Sequence, residues 1–242
     1  MKKIAIIGNG NVGTHLFKVF TKKKKDVSLI NSHSLEGLHP DFDYLIISVK
    51  DNAIEEVAKR ISSMMSGFVG TVAHTSGSTG ISVLAPYFKE YGVFYPLQTF
   101  SKDIPINDYS IIPVFVEGNN RQSTYNLRNL AKDVFAKIYE LTSEKREMLH
   151  VASVFACNFS NVMYSIASDI LKENEIPFEV LIPLLTQTTN KLNYSSPDEC
   201  QTGPAIRGDV NIIKNHLALL AGKEDLQKIY KELSEFILKR YK

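Results

Sequence analysis

A glycine-rich segment near the start of the chain constrains the fold more than any other feature. Gly8-Asn9-Gly10-Asn11-Val12-Gly13 has the spacing G-x-G-x-x-G; it directly follows the apolar run 4–7 and opens a helical pattern. In such a context the glycines permit a tight turn, close approach of the backbone to a pyrophosphate, and close packing of helix on strand. The N–H groups at the helix start then face the phosphates. The segment predicts a dinucleotide-binding unit with all six residues at the cofactor.

Strand and helix patterns alternate through the first 140 or so residues. Apolar runs at 4–7, 27–30, 44–49, 69–73, 93–95 and 111–116 are typical of strands, several of them buried on both faces. Apolar residues at helical spacing fill the gaps between these runs. The alternation predicts an α/β fold with a doubly wound parallel sheet.

After residue 142 the strand patterns disappear. Helices are predicted at 144–173, 178–191, 210–221 and 226–241, with Asp209 as an N-cap and Gly222 just past a helix end. The first of these helices is apolar on nearly all sides, which predicts that it is buried. We therefore expect a Rossmann domain over 1–142 and an all-helical domain for substrate binding and dimerisation over 143–242.

Composition excludes several classes of protein. Hydrophobic residues make up 44% and charged residues 22%, which argues against a disordered or fibrous chain, and the net charge of +2 is too small for a nucleic-acid or anionic-membrane partner. The two cysteines, Cys157 and Cys200, predict neither a disulfide framework nor a zinc site, so no metal is expected. The apolar run at 4–7 is too short for a signal peptide, and no stretch is long enough to span a membrane. These features predict a cytoplasmic protein acting on a small molecule.

The tip of the second strand bears on the choice of cofactor. An Asp or Glu there would hold a ribose 2′-hydroxyl, but the sequence reads Asn31-Ser32-His33-Ser34. Hydroxyl and imidazole donors without a carboxylate suit a 2′-phosphate better. We expect NADP, with Ser32, His33 and Ser34 at its phosphate, although no Arg stands at this tip and Glu36 lies close enough to favour NAD.

Segments that follow the other strands border the same crevice. Ser48, Val49 and Lys50 are expected near the ribose or nicotinamide, or in a simple turn before a helix. His74 is expected at the cofactor and Ser76 at the substrate, or both in a polar loop. Gln98, after the fifth strand, is a further candidate for substrate binding.

A polar stripe interrupts the long apolar helix. At about 100° per residue, His150, Cys157 and Asn161 share one side and Asn158 lies near it. His150 titrates near neutrality when unperturbed, and is a candidate for the proton transfer that accompanies hydride transfer. Asn158 would orient the reacting group and Asn161 would contact the substrate; the alternative is that these residues only pack the helix.

A turn rich in glycine and proline carries Arg207 in the segment Gly203-Pro204-Ala205-Ile206-Arg207-Gly208-Asp209. Arg207 would bind a substrate carboxylate through paired N–H groups. It would equally well fix the turn by binding Asp209.

These motifs together resemble one family. The protein resembles bacterial Rossmann-like proteins usually described as putative NADP oxidoreductases, with a helical C-terminal domain of unknown function. The resemblance is carried by the glycine segment, His74-Thr75-Ser76-Gly77-Ser78, the stretch 95–100, His150 with Asn158, and the turn at 202–209. The layout is more distantly similar to pyrroline-5-carboxylate reductase and the 6-phosphogluconate dehydrogenase group. The resemblance implies an NADP-linked oxidoreductase and a homodimer formed through the helical domain. The catalytic Lys of the 6-phosphogluconate and 3-hydroxyacid dehydrogenases has no match on the polar stripe, where His150 stands instead.

The sequence therefore predicts hydride transfer between a nicotinamide and a small carbonyl or imine substrate in a cleft between the domains. Two alternatives stay open: an NADP-binding sensor without turnover, and an oxidoreductase that uses a deazaflavin cofactor.

Overall fold

A seven-stranded sheet forms the centre of the first part of the chain. The computed structural model describes residues 2–241, and its strands are β1 Lys3–Ile7, β2 Asp26–Ile30, β3 Tyr44–Ile47, β4 Thr71–His74, β5 Tyr91–Pro96, β6 Pro113–Gly118 and β7 Lys137–Glu140. They lie in the order β2-β1-β3-β4-β5-β6-β7, and every neighbouring pair is parallel except β5 with β6. The order reverses at β1, so a ligand is expected over the carboxyl ends of β2, β1 and β3.

Helices cover both faces of this sheet. They are α1 Asn11–Lys22, α2 Ile54–Met64 and α3 Arg121–Lys132. Alternate residues of β1 enter two separate cores: Ile4 and Ile6 pack with α1 and α3, whereas Ala5 and Ile7 pack with α2. Since side chains of a strand alternate between faces, the two cores confirm the predicted doubly wound fold.

The edge of the sheet differs from the sequence prediction. Strand β7 was not predicted, because its four residues are mostly exposed and lack an apolar run. Strand β6 is antiparallel to β5, whereas a wholly parallel sheet was expected. The strand predicted at 69–73 begins at Thr71, since Val69 is exposed to solvent.

The predicted long helix is present but interrupted. It consists of α4 Ser143–Ser153, a π-helix Val154–Phe159 and α5 Ser160–Glu173. The prediction that this helix is buried is wrong for this chain, because large apolar side chains along it are exposed. They are Met148, Val151, Phe155, Phe159 and Val162.

The chain divides into two compact units, Met1–Val162 and Met163–Lys242. This division falls 20 residues after the sequence-based boundary at 142/143, because buried Arg146 anchors α4 on the first unit through Glu117. The assignment of 1–142 to the cofactor and 143–242 to the substrate and dimer stays a prediction.

The second unit is helical, as predicted. After α5 it contains α6 Ile182–Asn190, α7 Pro204–Arg207, α8 Val210–Leu219 and α9 Glu224–Arg240. Asp209 precedes α8 at the predicted N-cap position, but its side chain makes no capping hydrogen bond. Within 163–241, the only buried residues are Ala205 and Ser234. No helix in the described part of the chain has the length and apolarity needed to cross a membrane.

Candidate functional site

The glycine segment forms the tight turn between β1 and α1. Gly8 has a φ of +110°, and a Cβ on it would collide with the carbonyl oxygen of Ser48 at the end of β3. A Cβ on Gly13 would collide with the carbonyl oxygen of Gly8, so these two glycines hold strand, turn and helix together. Gly10 has open space on its Cβ side and is the N-cap of α1, where no side chain caps the helix. The backbone N–H groups that begin α1 are therefore accessible to an anionic ligand.

A cleft of about 800 Å³ in the first unit begins at this turn. It brings together many of the residues that the sequence suggested. They are Gly8, Asn9, Gly10, Asn11, Val12, Ser32, His33, Ser48, Val49, Lys50, Ser76 and His150. It also includes Asp51, Thr75, Gly77 and Tyr95, which belong to the segments that follow the strands and that the sequence placed beside the crevice. The sequence did not single out the remaining lining residues, which are Ala53, Glu56, Val57 and Arg60. All of these lining residues belong to the first unit.

The tip of β2 is held by an arginine from α2. Arg60 donates hydrogen bonds to the carbonyl oxygens of Ser32, at 3.0 Å, and His33, at 2.6 Å. This arginine is 27 residues from His33 in sequence, which is why inspection of the strand tip alone found no arginine. The helical pattern carried a usable signal, because Ala53, just before α2, and Glu56 and Arg60 on α2 follow one another at three- and four-residue steps. Ser34 does not line the cleft; its Oγ accepts a hydrogen bond from the Glu36 N–H at 3.4 Å.

Polar side chains that follow β3 and β4 form hydrogen bonds with one another. Thr75 Oγ1 donates to Ser48 Oγ at 3.4 Å, and Ser78 Oγ donates to Asp51 Oδ2 at 2.5 Å. The Ser76 hydroxyl accepts from two backbone N–H groups of its own loop and bonds Thr79 Oγ1 at 3.0 Å. Ser76 therefore shapes the polar loop, the alternative that the sequence left open, although it also lines the cleft.

The side chain of His74 lies inside the protein and not in the cleft. The residue is fully buried, and Nδ1 accepts the Ser76 N–H at 3.2 Å while Nε2 has no hydrogen-bond partner among the described residues. Burial, reinforced by the positive charge of Arg146, lowers the pKa of His74 to about 4. A side-chain contact with the cofactor, as expected from sequence, is inconsistent with this position. The pattern misled because the last residue of a strand can face the sheet interior as readily as the ligand.

Tyr95 and His150, which both line the cleft, contact each other. Tyr95 Oη and His150 Nδ1 are 3.2 Å apart, and the two rings are in an edge-to-face arrangement. A Cβ on Gly77 would lie 2.7 Å from His150 Nδ1 and 2.8 Å from Tyr95 Cζ, so glycine is needed where these side chains converge. Burial raises the pKa of the Tyr95 hydroxyl, against the opposing effect of the Arg146 charge.

A buried ionic network fixes His150 relative to the loop after β4. Arg146 is 1% exposed, forms an ion pair with Glu117 on β6, and donates to the carbonyl oxygen of Thr79. Ser143 Oγ donates to Glu117 Oε2 at 2.9 Å and accepts from the Ile81 N–H at 3.2 Å. Because His150 is on the same helix as Ser143 and Arg146, this network sets the position of His150 over Gly77. Sequence reasoning missed both network charges.

Five other suggested residues do not line the cleft, of which Gly13 packs against the backbone of Gly8 instead. Asn158, in the π-helix, and Asn161, just after it, are exposed. Gln98 is exposed and accepts the Thr99 N–H at 2.8 Å. Arg207 belongs to the second unit, where its Nε donates to Asp209 Oδ2 at 2.9 Å, the alternative anticipated from sequence.

Comparison with known proteins places this chain in a family. A model described as a domain of unknown function, DUF2520, matches residues 112–237, which is about half of the chain. The chain belongs to this family. A crystal structure of a putative NADP oxidoreductase from Bacteroides fragilis is 34% identical, covers 98% of both chains and superposes with a TM-score of 0.91. The predicted family resemblance is thereby confirmed.

More distant structures share the fold. A protein from Thermotoga maritima is 16% identical, covers 98% of each chain and has a TM-score of 0.73. An imine reductase from Myxococcus stipitatus in complex with NADP⁺ is 12% identical, covers 98% of this chain and 92% of its own, and has a TM-score of 0.63. A search of curated proteins finds no match.

Proposed function

We propose that this protein is an NADP-dependent oxidoreductase that transfers a hydride between the nicotinamide and a small carbonyl or imine substrate. One observation carries the proposal: a single cleft contains an uncapped helix start behind a glycine turn, a guanidinium at the tip of β2, and a Tyr–His pair. The name of the 34% identical protein from Bacteroides fragilis supports the same class of reaction.

The residues fit a dinucleotide on steric and chemical grounds. Gly8 permits the tight turn, because a Cβ there would collide with Ser48. The open space beside Gly10 permits a pyrophosphate to approach the backbone. NADP would supply the hydride. The helix start at Asn11 would bind the pyrophosphate, and Ser48, Val49 and Lys50 would lie along the ribose and nicotinamide.

Arg60 supports NADP over NAD. A guanidinium has about five N–H donors, so the two that bind the carbonyls of Ser32 and His33 leave others for a 2′-phosphate. Glu56, one turn earlier on α2, also lines the cleft and is the carboxylate that would suit the ribose hydroxyl of NAD. The two side chains therefore provide a direct test.

Titration calorimetry of Arg60→Gln and Glu56→Gln distinguishes the cofactors. We expect Arg60→Gln to weaken NADP binding by about 10- to 100-fold, as for loss of hydrogen bonds to a charged group, and to leave NAD binding within about twofold. Glu56→Gln is the matched control and should not weaken NADP binding. Tighter binding of NAD than NADP, lost in Glu56→Gln, would refute the assignment; NADP binding without oxidation of NADPH by any carbonyl or imine compound would favour a sensor.

We further propose that the helical region forms a homodimer. The second unit buries only Ala205 and Ser234 among its described residues, which is too little apolar burial for a stable helical domain. The exposed apolar side chains of α4 and the π-helix, including Phe155 and Phe159, add to the surface that needs cover. Sedimentation should give twice the chain mass at micromolar concentration, and Phe155→Ser should lower it; a wild-type monomer would contradict the proposal. The cytoplasmic location stays a prediction.

A further inference from the structure

Tyr95 and His150 are two titratable side chains of the cleft that form a hydrogen bond with each other. Tyr95 lies near the carboxyl end of β5 and His150 lies on α4, yet Tyr95 Oη and His150 Nδ1 are 3.2 Å apart. Both line the cleft that begins at the glycine turn. The absence of a side chain at Gly77 is what allows this approach.

We propose that Tyr95 is the group that gives the proton to the substrate, and that His150 resupplies Tyr95. The assignment rests on the oxidoreductase function proposed above and makes His150 the second donor rather than the first. In the reduction, the substrate carbon accepts the hydride with its electron pair from NADPH, which becomes NADP⁺. The oxygen or nitrogen of the former double bond takes the proton of the Tyr95 hydroxyl, and the Tyr95 oxygen takes the Nδ1 proton of a protonated His150.

The surroundings of the two side chains favour this order. Burial raises the pKa of the Tyr95 hydroxyl, so Tyr95 keeps its proton near neutrality until the substrate accepts it. The positive charge of buried Arg146 lowers the pKa of Tyr95 and would stabilise the phenolate formed during transfer. The negative charge of Asp51 raises this pKa. His150 is only half-buried on the helix surface, so it can recover its proton from water.

The pair is testable in the protein without cofactor. In long-range ¹H–¹⁵N spectra, neutral His150 should carry its proton on Nε2, because Nδ1 accepts from Tyr95. Tyr95→Phe should shift the tautomer ratio of His150, whereas Tyr125→Phe, an exposed tyrosine on α3, should not. An unchanged His150 spectrum in Tyr95→Phe would overturn the pair whatever the protein catalyses.

Turnover tests the order of proton transfer. Oxidation of NADPH is followed with a panel of small aldehydes, ketones and cyclic imines, using the compound that the wild type reduces fastest. Tyr95→Phe should lower kcat by about 10²- to 10⁴-fold with KM within about threefold, and His150→Gln should lower kcat less. Because the groups act in series, the double variant should be no slower than Tyr95→Phe.

The contrary results are distinct. If His150→Gln is the slower single variant and Tyr95→Phe retains most of its rate, His150 protonates the substrate directly and the proposed order is wrong. If the wild type binds NADP but reduces no compound of the panel, the oxidoreductase function fails and the relay fails with it. Calorimetric NADP affinity, expected to be unchanged in both single variants, separates loss of folding from loss of proton transfer.

Discussion

Substitution of His74 by Asn should make the stability of the protein less sensitive to acid. His74 is fully buried, and burial together with the charge of Arg146 lowers its pKa from 6.5 to about 4. The unfolded chain therefore binds a proton on His74 at a higher pH than the folded protein does. The part of the folding stability that depends on neutral His74 is therefore fully present above about pH 6.5 and is lost as the pH falls from about 6.5 to about 4.

The size of the effect follows from the same two pKa values. The full difference corresponds to about 3 kcal/mol, of which about 2 kcal/mol is lost by pH 5. Asn is the matched replacement because its Oδ1 can accept the Ser76 N–H that Nδ1 of His74 accepts at 3.2 Å, while Asn does not titrate. The wild type should lose about 2 kcal/mol more than His74→Asn between pH 7 and pH 5.

Urea unfolding followed by circular dichroism at several pH values measures this difference, and NMR amide signals assigned to the first unit distinguish its unfolding from that of the second. His39→Asn is the control, because His39 is an exposed histidine stacked on Phe42. NMR titration of His74 in the folded protein checks the cause directly. A His74 that titrates near 6.5, or a His74→Asn variant as acid-sensitive as the wild type, would refute the reasoning.

Two further substitutions have expected outcomes. Gly8→Ala should abolish NADP binding measured by calorimetry, because its Cβ collides with Ser48 and its φ of +110° is strained for alanine; unchanged affinity would contradict the proposed pyrophosphate site. Arg146→Met should destabilise the protein by about 3 kcal/mol in urea unfolding, because it removes the ion pair of a buried guanidinium with Glu117, whose side chain is 16% exposed. Arg128→Met, which breaks an exposed pair, should cost at most about 1 kcal/mol. Equal losses in the two arginine variants would show that the Arg146 network contributes little.

The sequence predicted the parts of the site that depend on local geometry. The spacing of Gly8, Gly10 and Gly13 after an apolar run is sufficient because Gly8 and Gly13 are required by nearby backbone, and Gly10 leaves open space beside the start of the helix. Ser32 and His33 were also found, since the tip of the second strand is a fixed distance along the chain from the glycine turn. These predictions needed no knowledge of packing between distant elements.

Contacts over long sequence distances were beyond the sequence alone. Arg60 reaches the tip of β2 from α2, and Tyr95 meets His150 from 55 residues away. Glu117 and Arg146 are single charges in unremarkable segments, and only the packing of α4 on β6 makes them a buried pair. A sequence pattern describes one element at a time, so it cannot identify residues whose role depends on two elements meeting.

The apolar helix at 143–173 shows why burial predicted from sequence need not appear within one chain. Its pattern indicates a helix that avoids water, yet Phe155 is 66% exposed and Met148 is 67% exposed. Exposing the apolar surface of such a helix to water costs about 25 cal/mol for each Å². The second unit has almost no buried side chains among its described residues, so little burial offsets the entropy lost when its chain is ordered. The pattern and the exposure agree if a second copy of the chain covers this surface, in which case the sequence described the assembled protein.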